Sequence, residues 1–355
     1  MENKLSKVAV IFGITGQDGS HLAELLLEKN YIVYGLIRRS SSFNTGRLEN
    51  IFNKLELQYG DITDIGSVMS IIKNANARCE SPVIEIYNLA AMSHVRVSFD
   101  MEKYCADVDA IGVLNVLQSI KTLGLENRVK LYQASTSELY GNTLNLEKLT
   151  ILDEKSPMNP VSPYAIAKLY AFHLIKYYRD AYNMFCVNGI LFNHTGPRRG
   201  DTFVCKKITN YVKKFSQYSV TQNKPLQLGN LNATRDFGYA KDYVEGMWRM
   251  LQNDNPEDFV LATGRRVTIR EFVELSFQCI NITISWKGEN ENEKGYYLNE
   301  SGDGKVEEIC VVEVNPKYYR PLELTDLIGD SSKARKTLKW NESVTLEELI
   351  KLMID

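Results

Sequence analysis

With 355 residues, roughly 2.4 times a typical domain length, the chain has room for one large α/β unit or two interleaved domains. Hydrophobic residues at 44% and charged residues at 24% exclude a disordered or collagen-like chain. The 42 Lys and Arg nearly cancel the 44 Asp and Glu, giving a net charge of −2, so no positive field is available for a polyanion and nucleic acid is not an expected partner.

The polar start, Met1 to Lys7, runs directly into Val8 and leaves no room for the apolar part of a signal peptide. No later stretch reaches the length of a membrane span, so a cytoplasmic protein without membrane contact is expected. From Val8 onward, short β-branched runs alternate with helical patterns, as in stacked βαβ units of a parallel sheet. Strands are expected at 8–12, 32–37, 55–59, 83–87, 129–133 and 185–192, with helices at 21–28, 65–73, 101–123 and 164–182 between them. Six strands fit a doubly wound sheet. After Phe192 the rhythm breaks into a Pro/Arg/Gly segment, Gly196 to Gly200, followed by helices near 206–217, 242–251, 269–280 and 331–338, which read as a smaller mixed α/β lobe. Residues 288–305, rich in Glu, Asn and Gly, read as a surface loop or β-excursion. The expected division is therefore 1–192 for cofactor and 193–355 mainly for substrate, with some segments interleaved back into the first domain. Six cysteines without a CxxC, and only four histidines, suggest reduced, mostly buried thiols and no metal site.

Gly13-Ile14-Thr15-Gly16-Gln17-Asp18-Gly19 follows the first strand and opens the first helix. In that context glycines let the backbone turn tightly against a pyrophosphate, which the free amides and dipole of the helix start attract. The GxxGxxG spacing resembles the short-chain dehydrogenase/reductase superfamily. At the end of the second strand, where an NAD enzyme would place an acid on the ribose 2′-hydroxyl, stand Arg38 and Arg39, followed by Ser40 and Ser41. Two guanidinium forks and two hydroxyls suit a 2′-phosphate, so NADP is the expected cofactor. The same resemblance implies cofactor contacts at Asp61, Ile62, Leu89, Ala90, Ala91, Ser93 and Tyr104.

Ser162-Pro163-Tyr164 combines an N-cap serine with proline at the first helical position, and places Tyr164 four residues before Lys168 on one helix face. An ammonium beside a phenol favours the phenolate, so Tyr164 can act as a general base, while Lys168 can also hold cofactor ribose hydroxyls. Thr136 and Glu138 fall at the C-terminal end of the fifth strand, where open α/β sheets bind ligands. Thr136 can orient a substrate alcohol; Glu138 is a carboxylate that simple dehydrogenation does not require. The runs QASTSELYG (133–141), SPYAIAKLYA (162–171), FNHTGPRRG (192–200), RDFGYAKDYVEGMW (235–248) and RPLELTDLIGDSSKARKTLKW (320–340) resemble the GDP-mannose 4,6-dehydratase family over most of the chain. The resemblance implies a Rossmann-type doubly wound sheet and a catalytic set of Thr136, Glu138, Tyr164 and Lys168. It implies His194 and Arg199 as cofactor contacts, and Asn193, Lys207, Arg235, Arg320 and Glu323 as ligands of GDP-mannose. It further implies a homo-oligomer, dimer or tetramer, in which the Arg38 to Arg47 loop reaches a neighbouring subunit's cofactor. The family usually has Glu-Ser at Thr195-Gly196, often Gln at Met92, and a shorter loop between Gly141 and Tyr164.

An NADP-linked epimerase or reductase, for example one reducing C4 to give GDP-D-rhamnose, would use Tyr164 and Lys168 without needing Glu138. A non-catalytic NADP-binding regulator would keep the glycine loop without Thr136, Tyr164 and Lys168 together. If Arg38 selects a 2′-phosphate, Arg38→Ala is expected to weaken NADP binding much more than NAD binding in a fluorescence titration; equal losses would indicate a general defect instead.

Overall fold

The β-branched runs of the first half form strands that are mostly buried on both faces, as a parallel sheet covered by helices requires, except the edge strand Leu55–Tyr59, which is only partly buried. In this computed structural model, residues 5–141, 151–217, 224–300, 306–319, 324 and 326–355 are described. Strands β1 (Lys7–Phe12), β2 (Tyr31–Ile37), β3 (Leu55–Tyr59), β4 (Ile84–Asn88), β5 (Val129–Thr136) and β6 (Phe185–Leu191) pair in parallel in the order 3-2-1-4-5-6. The expectation of six strands is corrected to seven: Phe259–Leu261 adds in parallel to the outer edge of β6. Three apolar residues give no readable period of their own, and they lie in sequence assigned to the second lobe.

Helices α1 (Gln17–Glu28), α2 (Ile65–Arg78), α4 (Glu102–Ala106), α5 (Gly112–Thr122) and α6 (Pro163–Tyr182) fall in the expected stretches, and the short α3 (Val95–Ser98) was not expected. The single helix expected over 101–123 is instead α4 and α5 joined through a π turn, Asp107–Ile111. Alternation along β1 sorts the core. Val8, Val10 and Phe12 join Ile71, Val116 and Ile175 on one face, while Ala9 and Ile11 join Leu22, Met247 and Leu251 on the other. Each such buried aliphatic side chain contributes about 1.5–3 kcal/mol relative to exposure.

Met247 and Leu251 belong to the helix Ala240–Gln252, which packs on the sheet and was expected in the second lobe; Ser332–Leu338 does the same. Trp340, 1% exposed, anchors this return by donating its indole N–H to the Asp242 carbonyl at 2.7 Å. Two compact units result. The first comprises 1–192, 240–262 and 329–341, and the second 193–239, 263–328 and 342–355. The second unit has a four-stranded sheet in the order Ser285–Lys287, Lys294–Glu300, Val306–Val314, Leu226–Leu228, parallel only at its last pair. The expected β-excursion is thus the central part of this sheet, with residues 301–305 outside the described residues. Phe215, Phe272, Phe277, Leu349 and Ile350 form that unit's core with it.

Among the described residues no helix is long and apolar enough to cross a membrane. All six cysteines are free, four of them buried. Tyr170 and Tyr177 are half exposed, whereas Phe172 and Tyr178 are buried.

At the β6 edge, Asp258 accepts two bonds from the Arg179 guanidinium, at 2.8 and 3.0 Å, and one from the Asn188 backbone N–H at 2.8 Å. Removing this largely buried carboxylate strands a cation and an amide. Asp258→Ala is therefore expected to lower unfolding free energy by about 3 kcal/mol, read as a lower urea midpoint.

Candidate active site

The strand order reverses at β1, so the carboxyl ends of β1, β4 and β5 open the crevice where doubly wound sheets bind ligands. Gly13 leaves β1 with φ +84°, and a Cβ there would lie 2.8 Å from the backbone of Leu89 and Ala90. Only glycine permits both the left-handed turn and this approach. The turn closes through Gly16 N–H to Gly13 O at 3.0 Å, and α1 starts at Gln17 with its first amides facing the loop. A cradle of bare backbone at a helix N-terminus fits the phosphates of a dinucleotide. Arg47, not singled out from sequence, donates to the Thr15 carbonyl at 3.3 Å and braces the loop.

Arg38, Arg39, Ser40 and Ser41 are exposed beyond β2, and Arg38 donates to the Tyr104 hydroxyl at 2.7 Å, bringing two expected cofactor residues together. Asp61 instead accepts the backbone N–H and hydroxyl of Thr63 at 3.0 and 2.9 Å, and buried Ile62 offers its carbonyl to Asn115. Beyond β4, Leu89, Ala90 and Ala91 are half-buried and Ser93 is exposed. Asn88 fixes this segment by accepting the Ala90 N–H and donating to Gln133 on β5 at 2.8 Å.

Thr136 ends β5, and its hydroxyl accepts the Glu138 N–H at 3.3 Å, capping the short turn Ser137–Tyr140. Helix α6 begins where the sequence predicts: the Ser162 hydroxyl accepts the Ala165 N–H at 3.1 Å, ahead of Pro163. Tyr164, Thr136 and Glu138 are buried together, with the Thr136 hydroxyl hydrogen-bonded to the Tyr164 phenol. One turn on, Lys168 donates to the Ala134 carbonyl at 3.1 Å, with its Nζ 5.8 Å from the Tyr164 ring centre. Burial pushes the phenol well above its usual range, the Asp109 charge adds to this, and the Thr136 bond opposes it. Among the protein's own groups the net effect on the phenol is upward, and burial is its first cause.

The sequence reading missed Asp109 and Ser98. Asp109, on the π turn, is fully buried 3.8 Å from Lys168, and the Ser98 hydroxyl accepts the Tyr164 backbone N–H at 3.3 Å. The available signal was an Asp inside the apolar run Val108 to Val113.

In the second unit, Arg235 is buried and donates to the carbonyls of Thr234 and Leu324 at 2.8 and 2.9 Å. Lys207 bonds the Gln227 carbonyl at 2.5 Å, with its Nζ 3.8 Å over the Tyr318 ring. Asn193 accepts the Gly238 N–H, His194 lies in register with Gly238, and the Arg199 guanidinium stacks 3.8 Å over Phe203. Thr195, where the resembled family usually has Glu, is buried 3.0 Å from the Cys205 sulfur. Arg320 and Glu323 lie outside the described residues.

A doubly wound sheet with a glycine turn after β1, and a buried tyrosine and lysine four apart on the helix following β5, defines a short-chain dehydrogenase/reductase type of fold. A solved UDP-glucose 4-epimerase from Thermus thermophilus, in complex with NAD, superposes with a TM-score of 0.77 over 98% of this chain and 97% of that one, at 22% identity, a likeness of fold. A family profile described as GDP-mannose 4,6 dehydratase matches residues 10–353. The GDP-mannose 4,6 dehydratases of Cricetulus griseus and Homo sapiens are each 51% identical over 99% of this chain and cover 92% and 91% of their own lengths. The chain belongs to the GDP-mannose 4,6-dehydratase family.

Gly141 closes the Thr136 turn with φ +54°, and a Cβ there would overlap the Asn159 carbonyl oxygen of the segment leading to Ser162. Gly141→Ala must push that segment away and shift the start of α6. It is expected to lower kcat by about 100-fold, the scale of a roughly 1 Å misplacement, with a smaller change in KM, measured by steady-state turnover.

Proposed function

We propose that this protein catalyses the NADP-dependent 4,6-dehydration of GDP-mannose to GDP-4-dehydro-6-deoxy-D-mannose. The observation that carries the reading is Glu138, buried beside Thr136 and Tyr164 in a chain half identical to named dehydratases. The first unit is the proposed cofactor domain, and the second carries the proposed nucleotide-sugar ligands Asn193, Lys207, Arg235, Arg320 and Glu323. Gly13, Thr15, Gly16, Gln17, Asp18 and Gly19 would hold the pyrophosphate, and Arg38, Arg39, Ser40 and Ser41 the 2′-phosphate. Asp61, Ile62, Leu89, Ala90, Ala91, Ser93, Tyr104, Lys168, His194 and Arg199 are the remaining proposed cofactor contacts.

Loss of the C6 hydroxyl is slow from a hexose because the C5 hydrogen is not acidic, and a ketone at C4 removes that obstacle. The bound oxidised nicotinamide would supply a positive charge that favours the phenolate and the redox chemistry, accepting hydride from C4 and returning it at C6. Tyr164 takes the O4 proton on its phenol oxygen, and the Thr136 hydroxyl orients that alcohol. Glu138 takes the C5 proton and passes it to the departing C6 hydroxyl, which leaves as water; once hydride is back on C6, C5 is reprotonated with a proton drawn from solvent and Tyr164 releases the O4 proton it took. Lys168 supplies the positive charge beside Tyr164.

We assign a homo-oligomer to the active form. Ile166, Tyr170 and Tyr177 are exposed on one face of α6, and Phe43 is fully exposed in the Arg38 to Arg47 loop; such apolar groups favour burial against another copy.

Glu138→Gln keeps the shape but cannot accept the C5 proton. It is expected to lower product formation by about 100-fold or more and to abolish solvent-deuterium exchange at C5; normal exchange would assign that proton to another base. Substrate deuterated at C4 is expected to give product with deuterium in its C6 methyl group by mass spectrometry, and an unlabelled methyl would exclude internal hydride return.

A further inference from the structure

We propose that Asp109 is a positioning residue for this reaction, holding the Lys168 ammonium behind Tyr164 through a buried ion pair and tying it to the segment after β4. The inference rests on the reading of Lys168 given above. Asp109 lies in the π turn Asp107–Ile111, where one extra residue per turn rotates a side chain away from its place in a regular helix. It points inward. The carboxylate is fully buried, 3.8 Å from Lys168 Nζ, and Lys168 itself is 2% exposed. Both oxygens accept the Met92 backbone N–H, at 3.1 and 3.3 Å, and one lies 3.2 Å from the Cys105 sulfur.

These contacts leave the carboxylate little freedom. It reaches Lys168 on α6 and Met92 beyond β4, so one side chain couples the proton-handling helix to the segment where the proposed cofactor contacts Leu89, Ala90 and Ala91 begin. Lys168 has a second anchor, the Ala134 carbonyl at the end of β5, and with both in place its ammonium is fixed at one turn from Tyr164. An unpaired buried ammonium would give up its proton readily; a fixed carboxylate opposes that.

The groups acting on Lys168 are Asp109 and the Cys105 thiol, whose own ionisation burial pushes up to about 12, leaving it neutral. Those acting on Tyr164 are Asp109, Glu138, Cys105 and the Thr136 hydroxyl. Asp109 therefore acts on both members of the pair in the same direction: its negative charge favours the proton on Lys168 and on Tyr164. Removing the charge makes Lys168 lose its proton at lower pH and makes the Tyr164 phenolate available at lower pH.

The test is the pH dependence of kcat and kcat/KM for GDP-mannose in wild type and Asp109→Asn, which keeps the size of the side chain and an acceptor for Met92. The expected result is a roughly tenfold lower kcat near neutral pH, with KM changed less than about twofold, and both limbs of the profile displaced toward lower pH by about one unit. A lower rate with both limbs unmoved, or a wild-type rate and profile, overturns the proposal. If Asp109→Asn does not fold, Asp109→Glu carries the test: it keeps the charge but moves it, so unmoved limbs with a reduced kcat are expected, and a full wild-type kcat overturns the proposal. Failure of the underlying reading is distinguishable, because wild type would then leave GDP-mannose unchanged, or Lys168→Met would turn it over at the wild-type rate.

Discussion

A lysine ammonium taken out of water must meet fixed oxygen atoms, and the architecture around Lys168 follows from that requirement. One oxygen is the Ala134 carbonyl near the end of β5, which also accepts the Gln133 side-chain amide, and the other is the Asp109 carboxylate. Burial pushes Lys168 toward its neutral form and Asp109 likewise, and the charge of each opposes the shift of the other. The pair persists only while α4, the π turn, β5 and α6 keep their mutual positions. Tyr164, one turn from Lys168, inherits that precision.

The phosphate loop depends on an equally tight constraint, made of backbone rather than charge. Gly13 approaches Leu89 and Ala90 so closely that a side chain would separate β1 from the segment leaving β4. Asn88 and Gln133, opposite each other in the β4–β5 register, hold the carboxyl ends of those strands together. The cofactor cradle and the proton-handling side chains therefore share one rigid support, the parallel sheet, and the chemistry requires them to be placed together.

Much of this was legible in the sequence because its causes are local. The Ser162-Pro163 start of α6, the four-residue spacing of Tyr164 and Lys168, the glycine turn after β1 and the six β-branched runs each act within a few residues. The seventh strand was not expected, and the sequence did not say that the helices Ala240–Gln252 and Ser332–Leu338 are among the segments interleaved back into the first unit. Many of their partners lie far away in the chain, and their own patterns specify an apolar face without saying which sheet it covers. For example, Phe259 is in register with Gly189.

The sequence by itself determined six strands of the sheet, the turn chemistry and the identity of the groups that can move protons, since periodicity, capping and side-chain chemistry are properties of short stretches. Only the tertiary structure decided their electrostatic state. Asp109 reads as one acid within a helix until the π turn faces it to Lys168, and the spacing of Tyr164 and Lys168 does not show the burial that raises the phenol. Desolvation depends on everything that surrounds a group, and those surroundings come from β4, β5, α4 and α6, which the chain brings together only on folding.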